Sequence, residues 1–131
     1  TTGAWVAPRP LGALGDTAAS NTFHGDLYDT YVAKLSAWNP AMRIAIATPL
    51  PRFDNGATGN PTNSNGVTLA QYAQAIRDFG ERYSIPVVDL FRLSGINLSN
   101  HTTFLGDGLH PSLTGQRTRI LPLVGKFLNS L

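Results

Sequence analysis

At 131 residues the chain has room for one domain, residues 1–131. Its 14% charged residues fall well below the roughly 25% usual for soluble domains, and the ten Lys and Arg stand against eight Asp and Glu with no run of like charge, which argues against nucleic acid as the main partner. With no cysteine there is no disulfide framework and no thiolate metal site.

The three histidines lack the HxxxH or HExxH spacing of a zinc site, so no metal is expected. No stretch approaches the ~20 apolar residues of a membrane span. The chain opens at Thr1 without methionine and shows no secretory leader, which fits a processed, truncated or excised sequence. The weakly charged surface, rich in Gly, Asn and Thr, fits a secreted, cell-surface or virion-associated protein better than a cytoplasmic one, and would equally fit a face covered by a partner.

In chain order, the first twenty residues read as loop, broken by Pro8, Pro10, Gly12 and Gly15. Asn21 or Thr22 is placed to cap a helix running to about Trp38, on the apolar positions Phe23, Leu27, Tyr31 and Leu35. Asn39-Pro40 ends it. Residues 43–48, bounded by Pro49 and Pro51, predict a buried strand. Residues 53–66 form a surface loop whose Asn55, Asn60, Asn63 and Asn65 suit either sugar hydroxyls or solvated turns. Thr68 caps a second helix to about Tyr83, with Leu69, Tyr72, Ala73, Ile76 and Phe79 as its stripe. Residues 85–90 predict a second buried strand, and Asp89 at its end is expected to accept backbone hydrogen bonds in the following loop. Residues 92–106 read as loop. The last segment, from Thr114, reads as a helix that Pro122 should kink or divide.

This alternation predicts an α/β protein with parallel strands. Two strands are too few for a stable parallel sheet, which needs both faces covered and its edges protected. The chain therefore reads as the carboxyl-terminal portion of a larger doubly wound domain, completed by an amino-terminal half, by a second chain, or by a homo-oligomer formed through the sheet edge.

Chemistry concentrates in Gly106-Asp107-Gly108-Leu109-His110-Pro111-Ser112. A histidine serving as general base needs one ring nitrogen held by an acceptor, which fixes the tautomer and stabilises the imidazolium. Asp107, three residues before His110, can supply that acceptor across a tight glycine turn. The competing reading is a helix-capping turn, with Ser112 as the cap. Ser94, Ser99 and Ser112 are the serines nearest in sequence, and none is placed as an obvious nucleophile. His101 sits in the preceding loop, where it could line a substrate cleft. His24, at a helix start, is expected to face solvent.

Several blocks carry a likeness to a known family: Phe23-His24-Gly25-Asp26, Asn39-Pro40, Ile46-Ala47-Thr48-Pro49, residues 83–90, and above all Asp107-Gly108-Leu109-His110-Pro111-Ser112 with Gly115 beyond it. On these the chain resembles the carboxyl-terminal portion of the SGNH, or GDSL, hydrolases, which are serine esterases and lipases. The resemblance implies a partial flavodoxin-like, three-layer α/β fold with parallel strands whose amino-terminal strands are missing. It gives His110 the role of general base and Asp107 that of its orienting acid. It sets Gly3 where the family's oxyanion-hole asparagine stands, and Ala4 where an aspartate is usual. The family's serine block has no counterpart, because Leu14-Gly15-Asp16-Thr17 follows no strand and lies at the wrong place in the chain. The implied activity is carboxylic ester hydrolysis on a small-molecule or glycan ester, without metal or organic cofactor. The alternative is an SGNH-like binding module that has lost its serine and holds glycans without cleaving them.

Overall fold

The computed structural model describes residues 8–131. After an irregular entry and a single 3₁₀ turn, Ala18–Ser20, helix α1 opens at Phe23–Leu27 and continues without a break as a π-helical stretch, Tyr28–Ser36. Thr22 caps it, its hydroxyl accepting from the Gly25 amide at 3.1 Å. Strand β1 is Ile46–Ala47, α2 is Leu69–Tyr83, β2 is Val87–Val88, α3 is Leu90–Leu93 and α4 is His101–Phe104. Helix α5 starts at Leu113–Gly115, winds as a π-helix over Gln116–Ile120 and finishes as Leu121–Asn129.

Among the described residues the sheet is two-stranded and parallel, with Ile46 opposite Val87 and Ala47 opposite Val88. Both strands are shorter than the apolar runs that announce them: residues 43–45 and 85–86 precede the paired residues, and beyond the pair Thr48, whose amide still bonds to the Val88 carbonyl, and Asp89 build a turn. The Thr48 hydroxyl donates to Asp89 Oδ1 at 3.0 Å and accepts from the Phe91 amide at 2.9 Å, while Asp89 also accepts from the Arg92 amide and from Arg77. Asp89 thereby caps α3, so residues 90–93 are helical instead of strand or loop. Helix α4 likewise lies within residues read as loop.

Helix α2 forms where its stripe predicts it. The Thr68 hydroxyl accepts from the Gln71 amide, and the Gln71 side chain accepts from the Thr68 amide, a reciprocal cap that satisfies two otherwise free donors. Its inner face carries Ile76 and Phe79 against Leu27 of α1 and Ile46 of β1, which form the principal apolar cluster. A second cluster of Phe53, Ile96 and Leu105 lies under the long loops. Pro122 does not divide α5. The backbone stays helical through it, and the π-wound turn Gln116–Ile120 immediately before it accommodates the missing N–H inside the helix. Gly3, proposed from the resemblance, lies outside the described residues.

Candidate active site

The turn that carries Asp107 and His110 is closed from both sides. Leu105, only 1% exposed, bridges antiparallel to Pro111, and the Gly106 amide donates to the His110 carbonyl at 2.9 Å. Gly108 turns the chain with a φ of 81°, a conformation that costs a side chain-bearing residue energy. Its carbonyl accepts from the Phe53 amide at 2.7 Å. The loop after β1 and the Asp–His turn are therefore joined backbone to backbone.

Asp107 uses its two oxygens for different tasks. Oδ1 accepts from the amides of Leu109 at 2.9 Å and His110 at 2.7 Å, and Oδ2 lies 2.6 Å from His110 Nδ1. The His110 amide, then the imidazole, then the Leu109 amide hold the Asp107 carboxyl far below the usual carboxylate range. An ionised carboxylate only accepts, so the proton between the two groups belongs to Nδ1. Nε2 is then the lone-pair nitrogen, and the imidazole is open to solvent, its side chain 76% exposed. A histidine in this tautomer, with one nitrogen braced and the other free, is arranged to accept a proton from a hydroxyl brought to it.

Two of the three nearby serines, Ser112 and Ser94, are committed elsewhere. Ser112 caps α5, its hydroxyl accepting from the Gly115 amide at 3.0 Å and donating to the Thr103 carbonyl at 2.8 Å. Ser94 is buried, and its oxygen accepts from the Ile96 amide. The capping turn and the Asp–His contact thus coexist instead of competing.

His101 begins α4 and stacks on Phe53 with ring centroids 4.5 Å apart and planes 11° from parallel. Its Nδ1 is buried without a hydrogen-bond partner. Phe53 connects it to the Asp–His turn through the Gly108 contact, but no direct bond joins His101 to His110 or Asp107 among the described residues. His24 differs from its expectation: it is buried, at 6% exposure, where α1 packs beneath the entry segment.

Residues missed by the sequence reading lie beside the turn. Asp54 accepts from Arg52 Nε at 2.5 Å and Nη2 at 2.8 Å and also feels the charge of Asp107, which partly offsets the lowering of its carboxyl by Arg52. Arg52 and Asp54 line a cavity of about 480 Å³. Their alternation around buried Phe53 was the available signal. Of the loop asparagines, Asn60 accepts from the Ala70 amide at 2.7 Å and Asn63 from the Asn65 and Val67 amides, so both serve the loop itself.

Residues 10–118 match the model of the GDSL-like lipase/acylhydrolase family. Three solved structures share the fold. One is 30% identical with a TM-score of 0.79, covering 93% of this chain and 57% of its own. A protein from Lactobacillus plantarum is 26% identical with a TM-score of 0.76, covering 93% and 60%. A possible lipase from Chitinophaga pinensis DSM 2588 is 25% identical with a TM-score of 0.71, covering 93% and 66%. The chain thus spans about three fifths of the length of the first two. No curated protein shows significant sequence similarity.

Proposed function

The chain belongs to the GDSL-like lipase/acylhydrolase family, and from that membership we infer that it supplies the general base and its orienting acid to a carboxylic ester hydrolase. The observation that carries this reading is the 2.6 Å contact between Asp107 Oδ2 and His110 Nδ1 on a solvent-open imidazole. His110 Nε2 takes the proton of a serine hydroxyl contributed from outside these 131 residues, as the serine oxygen bonds to the ester carbonyl carbon. The imidazolium, steadied by Asp107, returns that proton to the departing alkoxide, which leaves as the alcohol. Water then repeats the sequence: His110 takes its proton, hydroxide adds to the acyl carbon, and the carboxylic acid departs as the serine recovers its proton. Donors for the oxyanion come from the part of the site that also brings the serine. No step calls on a metal or an organic cofactor.

Hydrolysis of p-nitrophenyl acetate by the native protein, with His110→Ala as control, tests this. Turnover that disappears in the variant supports the triad. Identical rates in both overturn it, and glycan binding without any turnover would favour the non-catalytic module.

A further inference from the structure

The cavity beside the Asp–His turn has a chemistry of its own. It is about 480 Å³, inside the roughly 300–1,000 Å³ of small-molecule sites. Its apolar wall includes Leu69 and Tyr72, and its polar wall includes Arg52, Asp54, Asn55 and Thr62. Arg52 spends two of its five N–H donors on Asp54, which leaves three directed elsewhere. Among the described residues the lining holds one cation and one anion, already paired, so the cavity carries no net charge. An anionic ligand gains little there, because Asp54 cancels Arg52 and Asp107 adds repulsion nearby. A plain acyl chain would leave the three remaining Arg52 donors, and the N–H that Asn55 does not give to Asp54, desolvated and unpaired. A ligand with an apolar flank and several neutral hydroxyls satisfies both walls. The backbone joint between Phe53 and Gly108 ties the loop that carries Arg52 and Asp54 to the turn that carries His110, while the cavity itself is lined by that loop, the start of α2 and Pro8.

We propose that the Arg52–Asp54 cavity binds a neutral, hydroxyl-rich glycosyl group, the sugar portion of the ester whose acyl bond His110 serves. Its substrate role rests on the ester-hydrolase reading above, whereas its binding role does not. Arg52 and Asn55 donate to ring hydroxyls, and the Leu69–Tyr72 wall covers the C–H face of the ring.

The test is a titration of the isotope-labelled full chain with xylobiose, followed by amide NMR, with galacturonic acid and hexanoate as the anionic and acyl probes. Two variants accompany it. Arg52→Lys keeps the charge but loses the fork. Asn55→Gly removes the amide while suiting the left-handed backbone at that position, where φ is 51°. Xylobiose is expected to shift amides across residues 52–63, with affinity falling roughly tenfold in each variant. The absence of shifts in that loop overturns the proposal, as does affinity unchanged from the unsubstituted chain in both variants or tighter binding of galacturonic acid or hexanoate. Xylobiose binding by the unsubstituted protein together with ester turnover that is identical in His110→Ala upholds the cavity and removes the triad. Turnover that depends on His110, with no response to xylobiose, removes the cavity and leaves the triad.

Discussion

Gly108 and Asp54 meet backbone to backbone: a Cβ on Gly108 would lie 2.8 Å from the Asp54 nitrogen, closer than such atoms approach in folded proteins. The same residue holds a φ of 81°. Gly108→Ala therefore meets two penalties at once, a left-handed backbone and a steric clash with a segment that cannot rotate away. A loss of about 1–3 kcal/mol in denaturant unfolding is expected, together with a fall in ester turnover as the turn is displaced. Unchanged unfolding midpoints would contradict this account of the contact.

Asp107→Asn separates the acid's two tasks. The amide oxygen can still accept from the Leu109 and His110 amides, so the turn should persist and circular dichroism should match the wild type. At the ring, an NH₂ that rotates toward Nδ1 favours the wrong tautomer. Turnover is expected to fall by about 10²- to 10⁴-fold at unchanged fold. The pH response is set by the same carboxyl. Because its folded value lies below its ordinary 3.8, its stabilising contribution is complete above that value and is lost as pH falls further, through the folded value. Hydrogen-exchange protection of the Leu109 and His110 amides should hold from neutral pH to about 4 and decline only in stronger acid.

Thr48→Val tests the knot above the two strands. Valine fills nearly the same space but leaves the Phe91 N–H without its acceptor and takes a donor from Asp89. A destabilisation of about 1–3 kcal/mol is expected, with Thr48→Ser far milder because it keeps the hydroxyl. Equal stabilities for the two variants would show that the hydroxyl contributes nothing.

His24 should shape the acid limb of stability. Burial pushes its imidazole below the ordinary 6.5, against the opposing pull of Asp16 and Asp78. Its Nδ1 is buried without a partner. The folded state binds the proton less readily than the unfolded chain, so this contribution is complete above about 6.5 and is lost as pH falls below it toward the folded value. His24→Gln is expected to flatten thermal unfolding midpoints between neutral and mildly acidic pH. An unchanged slope would remove His24 as the cause.

Helix α2 was legible because its causes are local: a threonine–glutamine cap and a stripe that repeats at helical spacing. The Asp107–His110 contact was legible for the same reason, since three residues and two glycines bring the groups together. The strands were overextended because apolar content does not reveal where a ladder starts or stops; here it pairs only Ile46–Ala47 with Val87–Val88, and Thr48 and Asp89, 41 positions apart, bond to each other just beyond it. Helices α3 and α4 escaped notice because four residues are too few to show a period. His24 looked exposed because burial depends on the entry segment folding over it, with its amide bonded to the Leu11 carbonyl. The Arg52–Asp54 cavity depends on the loop folding back on the start of α2 and on Pro8, a grouping that no spacing rule encodes.

On the function and binding site proposed above, the Phe53–Gly108 seam ties recognition to chemistry mechanically. Any redesign that swaps residues 52–63 to admit another substrate also moves the strut on which the proton acceptor rests. Selectivity and turnover in this scaffold should therefore evolve together, and grafted loops will need compensating changes around position 108 before they regain speed.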